Sequence, residues 1–96
     1  MQKARRLNEN QPRVYQWITD GGELEALECG SHNRIFVEVQ NNETGEEIKF
    51  FGSLHGEPKS LIGYVRQVND MIELPPVRFL LPVAPAGVTI NFMGVQ

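Results

Sequence analysis

Arg34-Ile35-Phe36-Val37-Glu38-Val39-Gln40, then Asn41-Asn42-Glu43-Thr44-Gly45, then Glu47-Ile48-Lys49-Phe50-Phe51-Gly52-Ser53-Leu54 is the stretch that decides the fold class. In the first run Ile35, Val37 and Val39 alternate with Phe36, Glu38 and Gln40. That period of two puts successive side chains on opposite faces of a strand. The Asn- and Gly-rich stretch tolerates positive φ and predicts a hairpin turn. The third run is then the partner strand, with Ile48 and Phe50 toward the core and Lys49 and Phe51 opposite.

Similar runs lie on both sides. Val14–Ile18 is aromatic and β-branched, and Asp20-Gly21-Gly22 turns the chain. Glu23–Glu28 has a helical composition but spans under two turns; Leu24 and Ala26 alternate with glutamates, and we assign it as an edge strand. Cys29–Asn33 reads as a loop. Gly56-Glu57-Pro58 breaks the next run. Leu61–Val68 is a strand with a glycine kink or a short helix. Met71–Leu74 leads into Pro75-Pro76, which cannot sit in a central ladder. Val77–Leu81 follows with Val77, Phe79 and Leu81 inward, then Pro82–Gly87 as a rigid connection. Val88–Val95 has Val88, Ile90 and Phe92 on one face. Six to eight short strands, no long amphipathic helix and no internal repeat predict an all-β protein: an antiparallel β-sandwich or jelly-roll-like domain.

Composition bounds the function. The chain has 96 residues, 41% hydrophobic and 22% charged, close to an ordinary soluble globular protein. At this size about two-thirds of the unfolded surface can be buried, enough for one thin core. A single cysteine excludes an intrachain disulfide, and no zinc-type Cys/His spacing occurs. No run approaches the ~18 apolar residues of a spanning helix, so no membrane partner is expected. No apolar stretch follows the basic amino terminus, so no secretory signal peptide is expected.

The net charge of −3 is unevenly distributed. Residues 1–13 carry Lys3, Arg5, Arg6 and Arg13 against Glu9, a balance of +3; residues 14–96 carry five basic and eleven acidic side chains, a balance of −6. This predicts a basic amino-terminal arm (1–13) on an acidic β-sandwich body (14–96). The arm either frays into solvent or contacts an acidic surface. Four cations without an aromatic platform make a poor specific nucleic-acid site, so protein contact is the expectation.

Enzyme signatures are missing: there is no phosphate-binding glycine loop, GxSxG elbow or HExxH motif. We therefore expect no catalysis, no cofactor and no metal. Cys29, His32 and His55 are the only candidates for a Cys–His pair or a metal site, and their spacing fits neither. Their plainer roles are a small buried thiol and two loop histidines. The glutamates of 23–28 and 46–47 read as solvated edges that discourage stray strand pairing. Binding features are richer. Phe36, Phe51, Leu80, Met93 and Val95 fall on outward positions, where they are either covered by the arm and the proline segments or meet another protein. Tyr15, Trp17 and Tyr64 form either a carbohydrate-stacking platform or, for Trp17, a core anchor.

Phe50–Glu57, Pro76-Val77-Arg78-Phe79 and Gly87–Gly94 together resemble small β-sandwich proteins of bacteriophage virions, the kind that decorate capsids or occupy head–tail and tail positions. In that pattern a strand ends in a Gly-Ser-Leu-Asp-Gly turn, a proline-led strand carries Val-Arg, and a closing strand ends in an apolar residue and Gly. His55 stands where the pattern has Asp, and the Trp that often follows is missing. The similarity spans roughly residues 47–95; related wording occurs in carbohydrate-binding and discoidin-like sandwiches. The resemblance implies a virion location after assembly in the host cytoplasm. It implies a non-enzymatic capsid-decoration, head-stabilising or other accessory protein, bound in many copies to the major capsid protein or other virion subunits. A homo-oligomer is expected, with trimers suited to lattice three-fold positions. The alternative is a carbohydrate-binding module.

Overall fold

The computed structural model of the chain describes residues 1–7 and 14–96. Among them nine strands form: β1 (Arg5–Arg6), β2 (Val14–Ile18), β3 (Leu27–Glu28), β4 (Arg34–Gln40), β5 (Ile48–Ser53), β6 (Ser60–Val65), β7 (Asp70–Leu74), β8 (Phe79–Val83) and β9 (Thr89–Val95). One sheet runs β1-β2-β9-β4-β7 and the other β3-β8-β5-β6, with neighbouring strands antiparallel. Strands β2 to β9 ordered 2-9-4-7 over 3-8-5-6 are the two interleaved Greek keys of a jelly roll. β1 adds a short edge beside β2.

The inward faces follow the alternation in β4, β5 and β9. Ile35, Val37 and Val39 meet Ile48 and Phe50 across the sandwich, with Ile90 and Phe92 beside them, all at 0–1% exposure. Each such side chain contributes roughly 1.5–3 kcal/mol of burial. Trp17 is fully buried among them and is a core anchor.

Three local expectations are corrected. Asn41–Gly45 does turn the chain, with Asn41 at φ 66° and Gly45 at φ 75°, but it does not close a hairpin. β4 is flanked by β9 and β7, and β5 by β8 and β6. The cause is Asn42, which is 1% exposed. Its Nδ2 donates to the carbonyls of Glu46 (2.9 Å) and Gln67 (3.4 Å), and its N–H donates to Val68 O (3.0 Å). These bonds dock the turn on the β6–β7 connection and carry the chain into the other sheet.

The second correction is the parity of β8. Val77 is buried, but the bend at Arg78 resets the alternation, so Leu80 at 0% exposure points inward while Phe79 and Leu81 point out. The strand also continues through Pro82. β3 pairs only with Leu80 and Phe79, so β8 is an edge beyond that point, where proline is tolerated. Third, only Leu27–Glu28 of the 23–28 run is a strand, although Leu24 forms an isolated bridge with Gln2. Of Leu61–Val68, Leu61–Val65 is strand and 66–68 belong to the connection; Gly63 pairs with Phe50 and Leu61 with Phe51, leaving Ile62 as a bulge.

Candidate functional site

The arm is built into the sandwich over the residues described. Gln2 N–H donates to Glu23 O (3.0 Å), Glu25 N–H donates to Gln2 O (2.6 Å), and the Gln2 side-chain amide donates to Ile18 O. Arg5 and Arg6 pair with Gln16 and Tyr15 of β2, and Leu7 N–H reaches Val14 O at 3.2 Å. Lys3 lies 3.9 Å from Glu25, and Arg5 Nη2 donates to Gln16 Oε1 at 3.4 Å. Arg13 lies outside the described residues.

Cross-strand register turns the outer face of the five-stranded sheet into two zones. The middle is polar. Gln16 donates to Asn91 Oδ1 (2.9 Å), and Asn91 Nδ2 donates to Glu38 Oε1 (2.9 Å) and Gln40 Oε1 (3.5 Å). With Arg5 this makes a hydrogen-bonded chain across β1, β2, β9 and β4. One step along the strands the face becomes apolar, because Val14 pairs with Met93 and Met93 with Phe36. Leu7 and Met71 join them around a hollow of about 220 Å³. Leu7, Met71 and Met93 are 46%, 57% and 41% exposed. Arg34 closes one side of this zone. Its guanidinium sits 4.9 Å from the Phe36 ring centroid and donates to both carboxylate oxygens of Glu73, at 2.9 and 3.1 Å. Those hydrogen bonds hold the Glu73 carboxyl below the usual glutamate range. Val95, half-buried, pairs with Arg34 at the end of the same face.

The outer face of the four-stranded sheet carries the second apolar surface. Phe51 pairs with Leu81 on one side and Leu61 on the other. The next row is Val83, Lys49 and Tyr64; the row on the other side is Phe79 and Ser53. Leu61, Tyr64 and Val83 are each about half exposed, at 52%, 51% and 51%. Of the five apolar residues expected at an interface, Phe36, Met93 and Val95 thus share one sheet and Phe51 lies on the other. Leu80 lies in the core, a correction caused by the shifted parity of β8. Phe79, Leu81, Leu61 and Val83 were missed. No local signal marks Phe79 and Leu81 as outward, since the parity is reset at the bend at Arg78, after which Leu80 and Pro82 face one side and Phe79, Leu81 and Val83 the other.

The His32 ring lies against Gly94, where a Cβ would overlap it; it packs edge-on to Phe92 at 5.9 Å and hydrogen-bonds the Cys29 carbonyl. His55 shares with it a hollow of about 500 Å³ at one end of the sandwich, beside Pro76 and Arg78. Burial pushes the Cys29 thiol up to about 12, so it is protonated at neutral pH. Among the described residues no group of three His, Cys, Asp or Glu side chains is placed to hold a metal. The three rings expected as a sugar platform are separated. Trp17 is buried, Tyr15 packs toward Phe92 at 6.2 Å, and Tyr64 is on the outer face of the other sheet.

No protein-family model matches the chain, and no curated protein or solved structure is significantly similar to it.

Proposed function

We propose that the protein is a non-enzymatic accessory subunit of a bacteriophage virion, attached in many copies by docking an apolar segment of a neighbouring shell subunit into the hollow on its five-stranded sheet. The observation that carries the mode of action is that hollow. Phe36 and Met93, marked as outward apolar residues by alternation alone, meet Leu7, Val14 and Met71 around it. Exposed methionines adapt to a partner's shape. Arg5 and Arg6 stand on the adjoining edge of an otherwise acidic molecule, so the fitting partner presents an apolar side chain flanked by carboxylates. The virion setting rests on the resemblance of residues 47–95, and the jelly roll is a fold that capsid proteins use. Many weak attachments on a symmetric shell sum to tight decoration.

The test is incorporation into particles produced with the tagged protein. Phe36→Glu and Met93→Glu, both outward-facing, are expected to leave the protein folded and to abolish its recovery with purified particles. Undiminished recovery of both variants would overturn the docking site. Wild-type protein absent from every particle fraction would overturn the virion assignment.

A further inference from the structure

Both histidines of the chain, His32 and His55, meet Arg78 around the hollow of about 500 Å³ at one end of the sandwich. Three loops supply these groups, and each loop is held by bonds of its own. Ser53 Oγ donates to Gly56 O (2.8 Å) and closes the turn that carries His55. Arg78 N–H donates to Ser53 O (2.9 Å), and its carbonyl accepts from Cys29 N–H (2.7 Å). His32 is held by Gly94, Phe92 and the Cys29 carbonyl, and the next residue, Asn33, donates its N–H to Val95 O (3.0 Å). Walls fixed in advance lower the ordering cost of binding. The chain has twelve carboxylates against nine lysines and arginines, yet among the described residues no carboxylate lines this hollow. Glu57, in the same loop as His55, lies 3.4 Å from Lys59. Glu28 lies 3.4 Å from Arg78, but the two side chains are 63% and 57% exposed. Such a pair contributes little, so an incoming anion displaces Glu28 easily. Arginine presents a planar fork to two oxygens of an anion. An imidazole on a separate loop then needs a third oxygen pointing elsewhere, which a tetrahedral phosphate has and a planar carboxylate lacks. The volume also admits the body that carries the phosphate, and Leu54, Pro76 and Val77 line it with apolar surface.

We propose that this hollow binds a small molecule bearing a phosphate monoester on an apolar body, with Arg78 and His55 contacting the phosphate and Leu54, Pro76 and Val77 contacting the body. The site shares no lining residue with the hollow at Phe36 and Met93. It therefore stands independently of the attachment reading, and neither depends on the other's outcome.

Titration of the isotope-labelled chain with phenyl phosphate at constant ionic strength, followed by NMR, tests this. Saturable shifts are expected at Ser31, His55 and Arg78, with weaker binding of inorganic phosphate, benzoate and phenol. Arg78→Gln should weaken phenyl phosphate binding at least about tenfold, and His55→Gln about three- to tenfold. Both positions are exposed, and circular dichroism confirms the fold of each variant. Glu28→Gln removes the competing carboxylate and should tighten binding about two- to fivefold, a gain that misfolding cannot imitate. Shifts that never saturate would overturn the proposal. So would benzoate binding as tightly as phenyl phosphate, or an Arg78→Gln variant that binds like the wild type. Inorganic phosphate binding as tightly as phenyl phosphate would overturn the role given to Leu54, Pro76 and Val77.

Discussion

Gly63 in β6 and Leu74 in β7 touch across the open side of the sandwich, close enough that a Cβ on Gly63 would overlap Leu74 Cδ2. Leu74 is 2% exposed, so its side chain has little room to yield. The two sheets meet at this edge because position 63 has no side chain. Gly63→Ala should cost about 1–3 kcal/mol, the usual range for overpacking a filled core. Urea denaturation measures it. Shortening the opposing side chain in Gly63→Ala/Leu74→Val should recover part of the loss, a coupling that a purely backbone effect would not produce.

Thr19 is a buried polar residue with every backbone and side-chain group engaged. Its N–H donates to Val88 O (2.9 Å), its carbonyl accepts from Gly87 N–H (2.8 Å), its Oγ1 accepts from Val88 N–H (3.0 Å), and its hydroxyl donates to Pro85 O. It ties the β8–β9 connection to the end of β2. Thr19→Val keeps the shape but leaves the Val88 N–H without its acceptor, an expected loss of about 1–3 kcal/mol. Amide hydrogen exchange should show Val88 deprotected more than any β4 amide.

Trp17 fills the centre of the core, and among the described residues its Nε1 has no hydrogen-bond partner. Trp17→Ala should cost about 3–5 kcal/mol through the cavity it opens. Trp17→Phe should cost less, since the ring volume is largely kept and no donor is left buried. The difference in thermal midpoints between the two variants is the measurement. A sugar titration that quenches Trp17 fluorescence would contradict its burial.

The Cys29 thiol, 7% exposed, is raised from 9.0 to about 12 by burial. Alkylation at neutral pH should be slow in the native protein and fast in urea. The linkage has a definite sign. Below pH ~9 the thiol is protonated both folded and unfolded and contributes no pH dependence. As pH rises from there toward about 12, the unfolded chain ionises first and stability falls. Cys29→Ala should remove that part of the alkaline decline.

Alternation was enough to assign the faces of β4, β5 and β9, because in those strands one face is wholly apolar and the buried positions recur at every second residue without a break. It failed at β8, where the bend at Arg78 lies between buried Val77 and the first strand residue; no local pattern marks such a reset. The destination of the turn at Asn41–Gly45 was equally hidden. Turn chemistry says that a chain reverses, not which sheet receives it, and here the answer depends on Asn42 reaching Gln67 and Val68, remote in sequence. The site followed the same division. Phe36 and Met93 were legible because their strands were. Their meeting with Leu7 and Met71 depends on β1 and β7 flanking the sheet, which only the topology reveals. The second surface was largely lost to the parity of β8 and to the run from Leu61, which the sequence left open between strand and helix and which carries a bulge at Ile62.

Because β9 lies between β2 and β4, the sheet that carries the hollow has no middle until its final strand has been synthesised. A chain emerging from the ribosome can zip β5 against β6 early, but the first sheet must wait for residues some seventy positions downstream of β2. Copies interrupted before β9 would lack Met93 and leave Phe36 without its cross-strand neighbour. Translation itself thereby withholds the hollow from interrupted molecules.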